Sequence, residues 1–273
     1  MKFKLLKLLS SLHAKIFGRP ECSRFNEILV LLGLKGLGVR NYGTKKLSGE
    51  IPFTKSVLLK IDGPNNTILD VGANEGNFTQ EVLNNSDFLN VVAVEPHPRT
   101  FERLYNRYVH NDRVTLLNIG AGDRDATLSL FDYSDRRGST HASFFREAIE
   151  EAHHVTAAEW EVPVRKLDDV VSENELQVVF VKIDVEGFEF NVLKGLGETI
   201  RRQKVPYILI EFNEMNIYSG TFLRNFMDFL DDYEPFRILP YGRLLGLRPY
   251  RPFFAEIFTY QNIVFIRKEL VLS

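Results

Sequence analysis

The chain has 273 residues, 44% of them hydrophobic and 26% charged, with a formal net charge of −2. That length and composition suit one α/β domain and exclude a disordered or fibrous chain. The near-neutral charge excludes the basic surface of a general nucleic-acid binder, and one cysteine, Cys22, excludes an intrachain disulfide framework and fits a reducing, cytoplasmic setting.

The first element is MKFKLLKLLSSLHAKIF. Leu5, Leu8, Leu9, Leu12 and Ile16 fall on one helical face, and Lys4, Lys7, Ser11 and Lys15 on the other. Two readings stay open: a surface helix packed on the main domain, or peripheral membrane contact by a basic amphipathic helix over residues 1–17. A signal peptide is not expected, because Lys7 interrupts the apolar run. Glycines punctuate residues 33–66, which predicts loops and short elements. Residues 1–47 therefore read as a helical extension with loops, and residues 48–273 as the domain.

From Thr67 on, short apolar runs alternate with helical patterns, the βαβ signature of a parallel sheet. Strands are predicted at 68–71, 91–95, 114–118, 178–184 and 207–212, with helices after most of them. Residues 126–131 read as an extra edge strand, 132–159 as a long excursion with one short helix, and 161–165 as a short strand. Phe222, Phe226, Phe229 and Leu230 predict a helix facing inward. Strands at 236–239 and 263–266 finish the sheet as an antiparallel hairpin. The expected fold is a Rossmann-like, doubly wound, mostly parallel sheet. In such sheets ligands bind beyond the carboxyl ends of the strands, so the residues ending each strand are the candidates.

The first strand ends in ILDVGANEGNF. Gly72 and Gly76 allow a tight turn and close backbone approach, and Asn74 suits a positive φ. Asp70 stands where a GxGxxG loop would have glycine; a carboxylate there repels a pyrophosphate but suits a sulfonium. Glu95 follows 19 residues after Gly76, where an acidic residue grips a ribose. The third strand ends in NIGAGD: Ala121 permits backbone contact with an adenine and Asp123 can accept from its amino group, although turn chemistry explains Asp123 equally well.

The fourth strand ends in VVFVKIDVEGFEF. Lys182, Asp184 and Glu186 alternate, which puts them on one face. Charges there are costly unless paired or used. The fifth strand adds Glu211 and Asn213. Asp184, Glu211 and Asn213 are hard oxygen ligands for a divalent metal such as Mg²⁺, but no ligand-spacing rule is met and no metal is expected. Glu189 opens the next helix, where it favours the positive end.

DVGANEG, EPHPRTFERL, IGAGD and KIDVEGFEFNVLKG, in that order, resemble the FkbM family of S-adenosylmethionine-dependent methyltransferases over roughly residues 48–268. The resemblance implies a seven-stranded class I methyltransferase fold and O-methylation of hydroxyls on sugars, polysaccharides or polyketides. It implies that Asp70, Gly72, Asn74 and Gly76 form the donor loop, that Glu95 holds the ribose, and that Asp184 lies at the reaction centre. A base near the acceptor hydroxyl helps such a transfer. Asp184 is the first candidate, then Glu186, Glu211 and His141; for His141, as for His153 and His154, an exposed loop position is the simpler reading. The acceptor, a glycan or small molecule, is expected to be chosen outside the motifs. Tyr241, Arg243, Arg248, Tyr250, Arg251, Phe253 and Phe254 suit sugar rings or anions, and suit packing of the final hairpin equally. Two rivals remain: a nicotinamide-dependent dehydrogenase, which the missing GxGxxG disfavours, and a non-catalytic nucleoside-binding or membrane-surface module on the same fold.

Overall fold

The computed structural model describes residues 2–133, 141–151 and 154–271. Eleven strands are found among them: β1 (Asn66–Val71), β2 (Asn90–Val94), β3 (Val114–Leu117), β4 (Gly120–Ala121), β5 (Ala126–Tyr133), β6 (Ala157–Arg165), β7 (Gln177–Ile183), β8 (Tyr207–Phe212), β9 (Tyr233–Ile238), β10 (Leu244–Gly246) and β11 (Gln261–Arg267). Eight form one sheet in the order β10-β9-β11-β8-β7-β1-β2-β3. β1, β2, β3, β7 and β8 run parallel, and β11 lies antiparallel between β8 and β9. The order reverses between β1 and β7, which is where a doubly wound sheet opens its ligand crevice. This is the class I methyltransferase arrangement, with β10 added at one edge.

Two apolar layers flank the sheet. One gathers Val181, Ile183, Leu193, Ile210 and Phe226. The other gathers Leu58, Ile68, Val82, Phe180 and Leu209. Phe180 has no exposed surface and stacks between Phe78 and Tyr207 at 5.9 and 6.3 Å. Fully burying a side chain of this size is worth about 1.5–3 kcal/mol, so β7 anchors the sheet at its centre.

Several sequence expectations are corrected. Residues 126–131 do not edge the main sheet; β5 pairs with β6, and with β4 they make a separate three-stranded sheet. This sheet takes up both ends of the expected excursion, and the short helix inside it is Arg146–Glu150. Residues 134–140 and His153 lie outside the described residues. The glycine-rich stretch holds a 12-residue helix, Glu50–Ile61, whose Phe53, Val57, Leu58 and Ile61 are buried. Pro52 sits in its first turn, where a missing N–H costs nothing. In the helix Leu223–Phe229 the inward residues are Leu223, Phe226 and Met227, while Phe222 and Phe229 are exposed.

The N-terminus forms two helices, Lys2–Phe17 and Ser23–Gly36. No residue from 4 to 36 is fully buried, which does not favour a helix packed on the domain. Docking begins at Gly38, whose φ of 84° lets it sit against the Ile238 carbonyl, and continues at Arg40, whose N–H donates to the Tyr260 carbonyl at 2.8 Å. No described helix is long and apolar enough to cross a membrane.

The small sheet braces the end of β2. His97 caps the helix Pro98–Tyr108, accepting through Nδ1 from the Arg99 N–H at 3.2 Å. Its Nε2 lies 3.3 Å from the buried Asp132 of β5, and its ring lies 4.5 Å from Trp160 of β6.

Candidate active site

The carboxyl ends of β1, β2, β7 and β8 open into a cavity of about 680 Å³, a volume typical of small-molecule and cofactor sites. Gly72, Asn74, Glu95, Ala121, His141, Asp184, Glu186 and Glu211 all line it. Three candidates do not: Asp70, Gly76 and Asp123.

Asp70 lies beneath the floor, with no exposed surface. Its Oδ2 accepts from Thr79 Oγ1 at 2.7 Å, and its Oδ1 makes no hydrogen bond among the described residues. Burial raises its pKa, and the Lys182 ammonium opposes the rise. Asp70 therefore does not line the cavity, which departs from the expectation that it touches the donor. Gly76 serves packing: a Cβ there would stand 2.4 Å from the Tyr108 ring. Asp123 faces a separate depression of about 400 Å³ with Arg124 and Phe188. Turn chemistry is the reading that fits it.

The turn after β1 has the backbone its residue types imply. Gly72, Asn74 and Gly76 have φ of 79°, 50° and 79°. Gly72 is obligatory for a reason the sequence did not reveal, because a Cβ there would stand 1.8 Å from the Asp184 carbonyl oxygen. The loops after β1 and β7 thus touch backbone to backbone. Glu95 sits across the turn. Its Oε2 accepts from the Asn74 N–H at 3.0 Å and its Oε1 from the His97 N–H at 2.9 Å. Burial nevertheless pushes its pKa up to about 7.

The wall opposite is acidic. Lys182 of β7 donates to Asp184 Oδ2 at 2.8 Å and lies beside its register partner, Asp70 of β1. Burial disfavours its charge, but Asp184 and Asp70 more than offset this and raise its pKa. One ammonium thus serves two carboxylates. Glu186 does not continue the strand face as alternation implies, because β7 ends at Ile183. It reaches the same cluster from a turn in which its own φ is 50°. Such a conformation costs a non-glycine residue about 1–3 kcal/mol and persists only when its surroundings impose it. Glu189 imposes it from behind, accepting from the Val185 and Gly187 N–H groups at 3.2 and 2.9 Å. Glu189 is therefore a buried anchor of this turn rather than only a helix-end charge, and Asn216 donates to its other oxygen at 3.0 Å.

Asn213 donates to Glu186 Oε2 at 3.1 Å and to Glu211 Oε1 at 3.0 Å. His141 Nδ1 lies 3.2 Å from Glu186 Oε1, which raises the histidine pKa. Desolvation, together with Asp184 and Glu186, holds the Glu211 carboxyl well above the usual range. Asp184, Glu186 and Glu211 bring oxygen atoms within 4.8 Å of one another. That is a set of hard donors, with Glu186 in the place the sequence reading gave to Asn213. Lys182 and the Asn213 amide already serve these oxygens.

Sequence reasoning missed the outer wall. Arg40, Tyr42 and Glu50 from the N-terminal side line the cavity, as does Tyr260 from the C-terminal side. Tyr260 falls between the last two predicted strands, but the seven aromatic and arginine residues named from that stretch do not line the cavity. Tyr250 packs on the core beneath Arg224, Arg248 pairs with Glu234, and Arg251 lies over Phe254. Tyr250 supports the packing reading, while Tyr241 and Phe253 are exposed and support neither. His154 is an exposed loop residue.

A doubly wound sheet in this strand order, with an acidic residue after β2 and no GxGxxG loop, is the arrangement of the class I methyltransferases. Residues 70–238 match the methyltransferase FkbM domain. The chain belongs to that family, and this membership sets aside the dehydrogenase alternative. Among curated relatives, it is 25% identical over 209 residues to the 2-O-methyltransferase NoeI of Sinorhizobium fredii, covering 73% of this chain and 85% of that one. It is 31% identical over 147 residues to Methyltransferase 1 of Beauveria bassiana, covering 48% of this chain and 58% of that one. A solved O-methyltransferase from Bacillus cereus in complex with SAH aligns over 95% of this chain and 97% of that one, with a TM-score of 0.40 at 12% identity.

Proposed function

We propose that the chain transfers a methyl group to a hydroxyl oxygen of a sugar or similarly polyhydroxylated acceptor. The observation that carries this reading is the convergence of Asp184, Glu186, Glu211 and His141 on one wall of the donor cavity.

The cavity suits the donor. The Gly72–Asn74 backbone and Glu95 would hold its amino-acid and ribose parts, and Ala121, Leu130 and Phe144 its adenine. When bound, S-adenosylmethionine supplies a methyl group already activated on a cationic sulfur. The chain's own residues must hold the acceptor oxygen in line, about 3–3.5 Å from that carbon, and take its proton. Asp184 is the proposed base. Lys182 holds its Oδ2 at 2.8 Å, and the Asp184 side chain retains 30% exposure. As the oxygen–methyl bond forms and the sulfur–methyl bond breaks, the hydroxyl proton passes to Asp184. Glu211 stands beside it, with its carboxyl held well above the usual range by burial and by Asp184. His141 and Glu186 orient the hydroxyl.

Arg40, Tyr42, Glu50 and Tyr260 are proposed to choose the acceptor. They line the cavity yet lie outside the 70–238 segment that defines the family. Their aromatic faces and charged groups suit a hydroxylated ring. A reducing, cytoplasmic setting is proposed from the single Cys22.

The test is incubation with isotope-labelled S-adenosylmethionine and a panel of mono- and oligosaccharides, with product analysis by mass spectrometry and NMR. A labelled methyl ether is expected. Transfer to nitrogen, carbon or sulfur instead would overturn the hydroxyl assignment. Donor binding with no transfer to any acceptor class would favour the non-catalytic reading.

A further inference from the structure

The two N-terminal helices expose what a domain in water normally covers. Leu5, Leu8, Leu9 and Leu12 are 52–66% exposed, and Ile28, Leu29, Val30 and Leu32 are 43–63% exposed. The helices are joined at their shared turn. Asn26 donates to the Phe17 carbonyl at 2.9 Å and meets His13 Nε2 at 2.9 Å, and the Phe17 and Phe25 rings lie 5.1 Å apart. Apolar surface on this scale marks a site of contact.

Charge identifies what it contacts. Residues 2–36 hold seven Lys and Arg against two Glu, a net charge of +5 in a chain of −2. The remaining residues therefore carry −7. Two copies joined through these helices would bring +5 against +5 across the interface, which opposes self-association. An anionic lipid surface satisfies both features: leucines enter the acyl boundary, and lysines meet the headgroups. Helices of 16 and 14 residues fall short of the roughly 20 needed to span a bilayer, so they lie along its surface. We infer that residues 2–36 form a two-helix anchor that holds the enzyme on an anionic phospholipid membrane.

The full chain is tested by flotation with phosphatidylcholine vesicles, and with the same vesicles doped with phosphatidylglycerol. Binding is expected only to the anionic vesicles, weakening as salt screens the lysines. Lys4→Glu with Lys7→Glu should weaken partitioning by roughly 10²-fold or more, since each basic residue near such a surface contributes about fivefold. Leu9→Glu with Leu12→Glu should abolish flotation. Both pairs are exposed, so circular dichroism and the heat of S-adenosylhomocysteine binding should match wild type. Equal binding to neutral vesicles, no flotation of wild type, or undiminished flotation of either double variant overturns the anchor. So does a wild-type dimer in light scattering that Leu9→Glu with Leu12→Glu converts to monomer.

Discussion

As the proposed ribose ligand, Glu95 would set donor binding against stability, and both sides can be measured. Its carboxyl is buried and has a pKa near 7, against 4.5 for an ordinary glutamate. A carboxylate accepts hydrogen bonds from two ribose hydroxyls only when ionised. With that pKa, the ionised fraction falls from about nine tenths at pH 8 to about one tenth at pH 6. S-adenosylhomocysteine affinity, read by isothermal titration calorimetry, should therefore drop about tenfold between those pH values. Stability runs the other way. Because the folded pKa is raised, the folded chain holds the proton longer than the unfolded one, so the contribution is full below about pH 4.5 and is lost as pH rises through about 7. The loss amounts to about 3 kcal/mol at 1.36 kcal/mol per pKa unit. Glu95→Gln should bind the donor product weakly at every pH, flatten the pH profile, and recover up to that amount of stability in urea unfolding at pH 8. A flat wild-type profile, or an unchanged slope in Glu95→Gln, refutes the assignment of the titrating group.

Asp184→Asn should lower turnover by roughly 10²–10⁴-fold, the usual range for a positioned base, while donor affinity stays within about threefold. An unchanged rate would move the base to Glu211 or His141. Gly72→Val should destabilise the fold by about 3 kcal/mol or more, because φ is 79° and the added Cβ meets the Asp184 carbonyl. Thermal unfolding checks it; an unchanged Tm with lost donor binding would mean that the glycine serves the ligand instead. EDTA should leave methyl transfer within about twofold, because Lys182 and Asn213 already satisfy the acidic cluster. Abolished activity that Mg²⁺ restores would overturn that reading.

The fold was legible where burial is complete. β8 matches its apolar run from Tyr207 to Phe212, and the DVGANEG turn takes the positive φ angles that glycine and asparagine favour. The helix Glu50–Ile61 was obscured by surrounding glycines, although Phe53, Val57, Leu58 and Ile61 already had helical spacing. The acidic wall was only half legible. Asp184 and Glu211 are 27 residues apart, and no local period links them. They meet because β7 and β8 are parallel neighbours in register, Ile183 beside Ile210, and such strands run about 4.8 Å apart. The contact between Gly72 and the Asp184 backbone, and that between Arg40 and Tyr260, depend on tertiary closure alone. No pattern along the chain encodes them.

β11 occupies an interior slot of the sheet. β8 and β9 both precede it in the chain, and each uses it as a neighbour. Without β11, β8 and β9 would face each other with unpaired edges. Ile263, Val264 and Phe265, each without exposed surface, close the gap. Trimming the chain just before Gln261 would split the sheet rather than shorten it, and would expose two aggregation-prone edges at once.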